Sequence, residues 1–172
     1  MLFIMRKKGL LIISTIGIVL FAGGLIPVSV LEVKDRKSGE ILFRKRAVEG
    51  DVFLFNYIHS VEKTPVEGTF LIERRNVLRI VETRFSSHGA GLPNVSGKTI
   101  RKNGWFVVEG GERLEKFNFF FSPINRPVLR FKDRETALGN EKGGEGLLEI
   151  SIRRHPFILH VFKELYRLPF DP

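Results

Sequence analysis

The chain has 172 residues, of which 43% are hydrophobic and 27% charged, and its formal net charge is +9. This is the composition of a folded chain with room for one ordinary domain and an appendage, and it argues against disorder. With no cysteine, disulfide frameworks, thiol nucleophiles, thiolate metal sites and a lipid-modified cysteine are excluded. No nucleic-acid motif accompanies the basic charge, so we expect anionic membrane lipid, and no nucleic acid, beside it.

The N-terminal segment predicts the compartment. An uncharged apolar run from Gly9 to Leu31 follows the basic residues 6–8, and its length suits a helix that crosses a hydrocarbon core of ~30 Å. Because cytoplasmic flanks carry the excess of Lys and Arg, the N-terminus is expected inside and the body outside. Residues 1–27 are then either an uncleaved single-pass anchor or a signal cut near residues 22–24, which would leave a secreted or periplasmic protein.

Residues 28–154 show short alternating runs separated by turn residues, which is the all-β pattern. A hairpin is predicted around Ser38 and Gly39, a central strand over 52–60, and a second hairpin joined at Arg75 and Asn76. Further strands are expected in "GWFVVEG", "KFNFFFSPI", "PVLRFKD" and "LLEISIRR". This pattern predicts a mainly β protein with a single antiparallel barrel or sandwich domain.

The tail, residues 155–172, has a different pattern. Apolar residues recur at helical spacing after Pro156 until Pro169, which predicts a short amphipathic helix. Its role is either to cap an open end of the β domain or to lie on the membrane interface beside the anchor.

Three motifs follow one another in the body: "YIHSVEKTPVEGTF" over 57–70, "ETRFSSHGAGLP" over 82–93 and "GWFVVEG" over 104–110. In this order and at these distances they resemble the bacterial and archaeal family catalogued as domain of unknown function 1850, over most of the body. The resemblance implies a small exported or membrane-anchored protein. Members are often encoded beside tripartite (TRAP-type) transporters with a TAXI-class binding protein, so it also implies an accessory role in solute uptake. One departure is Gly68, where the family commonly has an acidic residue.

The motifs supply the candidate site residues. They are Tyr57, His59, Ser60, Glu62, Thr64, Glu67, Glu82, Arg84, His88, Gly89 and Gly91. One hypothesis is structural: His59 donates to Glu82 or to a backbone carbonyl, Glu62 pairs with Arg84 or Lys63, and the cluster fixes a crossover between strands. Another is ligand or partner binding, with the backbone N–H groups of Gly89 and Gly91 donating to a carboxylate or to a loop of a partner.

Catalysis is the remaining alternative, as a metal-dependent or Ser-dependent hydrolase that uses His59, Ser60, Glu62 and His88. Histidine nitrogens and carboxylate oxygens suit a divalent ion, but no two histidines stand at ligand spacing. In a continued strand, His59 and Ser60 would point to opposite faces, which argues against a direct dyad. We therefore expect a binding module with no cofactor and no catalytic residue, rather than an enzyme.

Overall fold

The computed structural model describes residues 24–87, 98–139 and 144–157. The elements in chain order are β1 (Pro27–Asp35), β2 (Ile41–Arg46), β3 (Val52–Ile58), β4 (Pro65–Glu73), the 3-10 turn η1 (Arg74–Asn76), β5 (Val77–Phe85), β6 (Lys98–Lys102), β7 (Trp105–Glu109), β8 (Arg113–Leu114), β9 (Lys116–Phe121), β10 (Val128–Phe131), β11 (Arg134–Ala137) and β12 (Gly146–Pro156).

The strands form two antiparallel sheets. The small sheet has the order β2-β1-β12-β9, and the large sheet has the order β11-β10-β3-β4-β5-β7-β6, with β8 pairing to β5. Within the described ranges, the last strand of each sheet does not pair with the first, so neither sheet closes into a barrel. The expected mainly β, antiparallel architecture is therefore confirmed, and of the two expected forms the closed barrel is not found.

Both predicted hairpins are present. β1 pairs with β2, with Val33 opposite Phe43, and Gly39 has the left-handed φ of 81° that a residue without a Cβ adopts readily. β4 pairs with β5 through η1, where Arg75 and Asn76 have φ of 59° and 62°. β3 lies between β10 and β4, as expected of a central strand.

Phenylalanine rings from both sheets fill the space between them. On β3 and β4, side chains alternate between buried and partly exposed, because successive residues of a strand point to opposite faces. Phe53 and Phe70 stack at 4.8 Å between ring centroids within the large sheet. Phe117 of β9 crosses from the small sheet and meets Phe55 at 5.3 Å and Phe70 at 5.2 Å. The core is thus a shared aromatic layer.

Contacts divide the described residues into two compact units. Residues 29–87, 98–139 and 144–153 form the larger unit, and residues 24–28 and 154–157 belong to the other. In the smaller unit, the Phe157 N–H donates to the Ile26 carbonyl at 3.0 Å.

The chain enters and leaves the larger unit at one end. β1 and β12 are neighbours, and the Arg36 N–H donates to the Leu147 carbonyl at 2.8 Å, so β12 starts where β1 ends and finishes where β1 starts. The Ser29 hydroxyl also hydrogen-bonds to Asn76 Oδ1 of η1. We call this end, with Ser29, Arg153 and η1, the exit end, and the opposite end, with the β3–β4 turn, the far end.

Some elements differ from the sequence prediction. β6, β8 and β11 were not predicted, and β12 continues through His155 and Pro156, which we had assigned to the tail. The remainder of the tail, residues 158–172, and residues 1–23 of the expected anchor lie outside the described residues. Across the ranges that are described, no helix combines the length and the apolar character needed to span a membrane.

The aromatic layer should dominate the stability of the β domain. Phe55→Ala removes a fully buried ring and is expected to lower the free energy of unfolding by ~3–5 kcal/mol, through lost burial and a residual cavity. Val52→Ala on the same strand, where the side chain is 47% exposed, is the matched control and should change it by less than about 0.5 kcal/mol. Urea denaturation, monitored by circular dichroism, measures the free energy of unfolding of both variants. Equal losses in the two variants would contradict the role of the aromatic layer.

Candidate functional site

The β3–β4 turn carries several of the candidate residues. β3 ends at Ile58, and residues 59–64 fold into a turn in which the His59 N–H donates to the Thr64 carbonyl at 2.8 Å. The Glu62 N–H donates to His59 Nδ1 at 3.2 Å, and the Lys63 N–H donates to the His59 carbonyl. The sequence predicted that His59 donates to Glu82 or to a backbone carbonyl; in the structure its backbone N–H donates to the Thr64 carbonyl, and its ring accepts the Glu62 N–H.

A loop distant in sequence holds this turn in place. The Ile58 N–H donates to the Asn125 carbonyl at 2.7 Å, and Asn125 Nδ2 donates to the Ile58 carbonyl at 2.9 Å. Asn125 Oδ1 accepts hydrogen bonds from both the backbone N–H and the hydroxyl of Ser122. Because Asn125 is buried and its side-chain groups are used in this way, its role is structural.

The turn and β9 enclose an open depression of about 400 Å³, which we call the far-end cleft. Its lining consists of Tyr57, His59, Ser60, Phe119, Phe120, Ser122, Asn125 and Glu145. We had expected His59 and Ser60 on opposite faces of a strand. Since β3 stops at Ile58, both residues instead line the same cleft.

Tyr57 forms the inner wall of the far-end cleft. Its ring packs against Phe119 at 4.6 Å and Phe55 at 6.1 Å between centroids. Burial raises the pKa of the Tyr57 hydroxyl to about 12, because a phenolate is disfavoured away from water. At neutral pH the hydroxyl is therefore a neutral hydrogen-bonding group and not a nucleophilic phenolate.

A second depression, of about 470 Å³, adjoins the far-end cleft. We call this second depression the Arg36–Lys37 pocket. Its lining consists of Arg36, Lys37, Phe120, Glu145, Gly146 and Leu147. Phe120 and Glu145 line both depressions. The Phe120 side chain is 58% exposed, and its residue lies opposite Leu147 in the β9–β12 register.

Three candidates lie on the outer face of the large sheet, outside the cleft. Arg84 of β5 forms an ion pair with Glu82 and lies opposite Glu67 of β4 in register. The hydrogen bond and charge of Glu82, assisted by the charge of Glu67, raise the pKa of Arg84. Glu62 was expected to pair with Arg84 or Lys63, and the carboxylate that pairs with Arg84 in the structure is that of Glu82.

Glu82 and Arg84 line a groove of about 270 Å³ with Trp105, Val107 and residues of β6. The structure therefore brings Tyr57, His59 and Ser60 to the far-end cleft and Glu82 and Arg84 to this groove, not into one pocket.

The other candidates have separate positions. The Thr64 hydroxyl hydrogen-bonds to that of Ser87 at 2.9 Å, which links the β3–β4 turn to the end of β5. Gly68 is buried on the inner face of β4, opposite Phe55 and Thr83, so an acidic residue there would face the core. His88, Gly89 and Gly91 lie outside the described residues.

The sequence analysis missed Phe120, Arg36 and Lys37. One signal was readable: in "KFNFFF", strand alternation places Phe117, Phe119 and Phe121 inward, so Phe120 must point outward, and the burial pattern agrees. Nothing in the sequence marked the two cations as neighbours of that ring. Within the described ranges, His, Asp and Glu side chains form no group of three or more arranged to hold a metal ion.

Comparison with known proteins adds a family. The profile of the family described as Domain of unknown function (DUF1850) matches residues 53–138, which is half of the chain and runs from the second residue of β3 to just beyond β11. The chain belongs to this family. The searches of curated proteins and of solved structures found no match to the chain.

A buried carboxylate lies near the Arg36–Lys37 pocket. Glu149 on β12 is 8% exposed, and its carboxylate is 2.7 Å from Arg153, 3.5 Å from Lys116 and 3.8 Å from Arg36. Burial acts to raise its pKa, but the hydrogen bond from Arg153 and the charges of Lys116 and Arg153 outweigh it, so the pKa is lowered from the ordinary 4.5.

This lowered pKa predicts an acid-dependent loss of stability. Because the folded-state pKa lies below the unfolded one, the stabilisation from Glu149 is complete above pH 4.5 and is lost as the pH falls through the folded-state pKa. We expect the melting temperature of Glu149→Gln to fall less steeply than that of the wild type as the pH is lowered from about 5. Glu135→Gln, which removes a carboxylate from an exposed pair with Arg130, is the control for the loss of a charge. If the melting temperatures of the wild type and Glu149→Gln fall equally steeply with pH, Glu149 does not have a lowered pKa.

Proposed function

We propose that the protein is a membrane-tethered, extracytoplasmic binding module without enzymatic activity, which serves a TRAP-type (TAXI) solute transporter as an accessory. Residues 1–27 would be the anchor or signal segment, and the amphipathic tail would either cap the β domain or lie on the membrane interface. The observation that supports this proposal is the position of the exposed Phe120 and its two depressions, at the end opposite the point where the chain enters and leaves the β domain.

The distance between the two ends suits such a role. β4 has nine residues and runs from the far end to the exit end, which is roughly 26 Å at about 3.3 Å per residue. If the chain reaches the membrane from the exit end, the far-end cleft faces away from the lipid. A transporter subunit or a solute-binding protein would meet that surface first.

The chemistry of the far-end cleft favours binding over catalysis. His59 Nδ1 already accepts the Glu62 N–H, and both the amide oxygen and the amide nitrogen of Asn125 take part in hydrogen bonds that hold the turn. An exposed aromatic ring between two depressions is instead typical of a protein-interaction surface. The runner-up is a Ser-dependent hydrolase, because His59 and Ser60 line the same cleft. Labelling of Ser60 by a fluorophosphonate would favour it.

The compartment is testable because the chain has no cysteine. Val61, on the β3–β4 turn, is 76% exposed, so Val61→Cys provides one accessible thiol. We expect a membrane-impermeant maleimide to label it in intact cells. Met5→Cys, ahead of the apolar segment, should be labelled only after the membrane is permeabilised. The reverse pattern would exclude an extracytoplasmic body.

The docking surface is tested by photo-crosslinking in the full-length membrane-bound protein. A benzoylphenylalanine at position 120 should form an adduct with a transporter subunit or solute-binding protein, identified by mass spectrometry. The same photo-reactive residue at position 52, where the native side chain is 47% exposed on the outer face of β3, is the matched control. Absence of such an adduct at position 120, or equal yields at both positions, would refute the proposed docking surface.

A further inference from the structure

We infer that the segment that docks on Phe120 is an extended acidic stretch of a partner protein, whose carboxylate binds Arg36 and Lys37 while a neighbouring apolar side chain packs on Phe120. This inference rests on the proposed function. It adds the chemistry of the partner and the direction in which its chain crosses the surface.

Phe120 provides the apolar contact. Its neighbours Phe119 and Phe121 point inward, and Phe121 is 2% exposed, whereas Phe120 is 58% exposed. Leu147 lies beside it on β12. Because one ring stands between two open depressions, a chain that crosses the ring can place a side chain in each of them. A small anion would leave the ring and one depression unused, which is why the occupant is a protein segment.

The two cations are held on a rigid turn. Asp35 accepts hydrogen bonds from the Lys37 N–H at 2.9 Å and from the Ser38 hydroxyl at 3.1 Å, and its carbonyl accepts the Gly39 N–H. The Arg36 N–H bonds to the Leu147 carbonyl. With the backbone fixed in this way, binding loses little conformational freedom of the turn.

The charges of Arg36 and Lys37 remain available to a ligand. Lys37 forms no ion pair with any described residue. Arg36 Nε is 3.8 Å from Glu149, a carboxylate that Arg153 already binds at 2.7 Å. A guanidinium has five N–H donors, so Arg36 retains donors for a carboxylate of the partner.

Arg36 and Lys37 set the orientation of the docked segment. Glu145 is exposed and lines both depressions beside Phe120, so it disfavours an acidic side chain in either of them. Only the second depression has the cations Arg36 and Lys37 to offset this repulsion, so the partner's carboxylate binds there. The far-end cleft then receives an uncharged residue. Without the basic residues 6–8, the rest of the chain has 25 basic and 19 acidic residues, a net charge of +6, which also accelerates the approach of an acidic partner.

Fluorescence anisotropy on the full-length protein in detergent tests this inference. The probes are labelled, acetylated pentapeptides Glu-Phe-Glu-Phe-Glu, Gln-Phe-Gln-Phe-Gln and Lys-Phe-Lys-Phe-Lys. The acidic peptide should bind most tightly, and added salt should weaken it. The double variant Arg36→Gln and Lys37→Gln should raise its Kd at least about tenfold, since two charge-assisted contacts are lost. The double variant Arg74→Gln and Arg75→Gln removes the same charge at the exit end and should leave the Kd unchanged.

The outcomes separate this inference from the proposed function. Equal affinity for all three peptides, with loss of binding in Phe120→Ser, would overturn the acidic partner but keep the docking surface. No binding of any peptide would also overturn the inference, and crosslinking from position 120 then decides independently whether the surface is used. Circular dichroism melting of each variant excludes loss of binding through unfolding.

Discussion

The inward-facing phenylalanines of β3, β4 and β9 are the contacts on which the larger unit depends. Phe55 and Phe70 from one sheet meet Phe117 from the other at ring distances near 5 Å, and such aromatic contacts add to the energy of area burial. The same layer continues through Phe119 to Tyr57 at the far end. The wall of the far-end cleft is therefore an extension of the core, which makes the cleft a preformed surface.

The fold was predictable where alternation is strong and pairing is local. β1, β2, β4 and β5 form hairpins with short connections, and their apolar residues recur with the period of two that the sheet imposes. β6, β8 and β11 were not predictable in this way. They have two to five residues and few apolar side chains. Their pairing with longer strands, rather than their own composition, stabilises them.

The candidate site was predictable only in part, because long-range contacts determine it. The motif around Tyr57 and His59 identified one wall of the cleft. The end of β3 at Ile58, which decides that His59 and Ser60 share the cleft, depends on Asn125, 67 residues further along the chain. Arg36, Phe120 and Glu145 meet only because β1, β9 and β12 share the small sheet. Spacing within one motif carries no signal for such a meeting.

The side-by-side arrangement of β1 and β12 has a mechanical consequence. A pulling force between the exit end and the far end acts along the axes of both strands, while the hydrogen bonds between antiparallel strands lie perpendicular to those axes. Because the chain enters by β1 and leaves by β12 at the same end, such a force pulls both strands in the same direction and does not open the bonds between them one after another. Tension between the two ends of the small sheet is then carried by two neighbouring strands together.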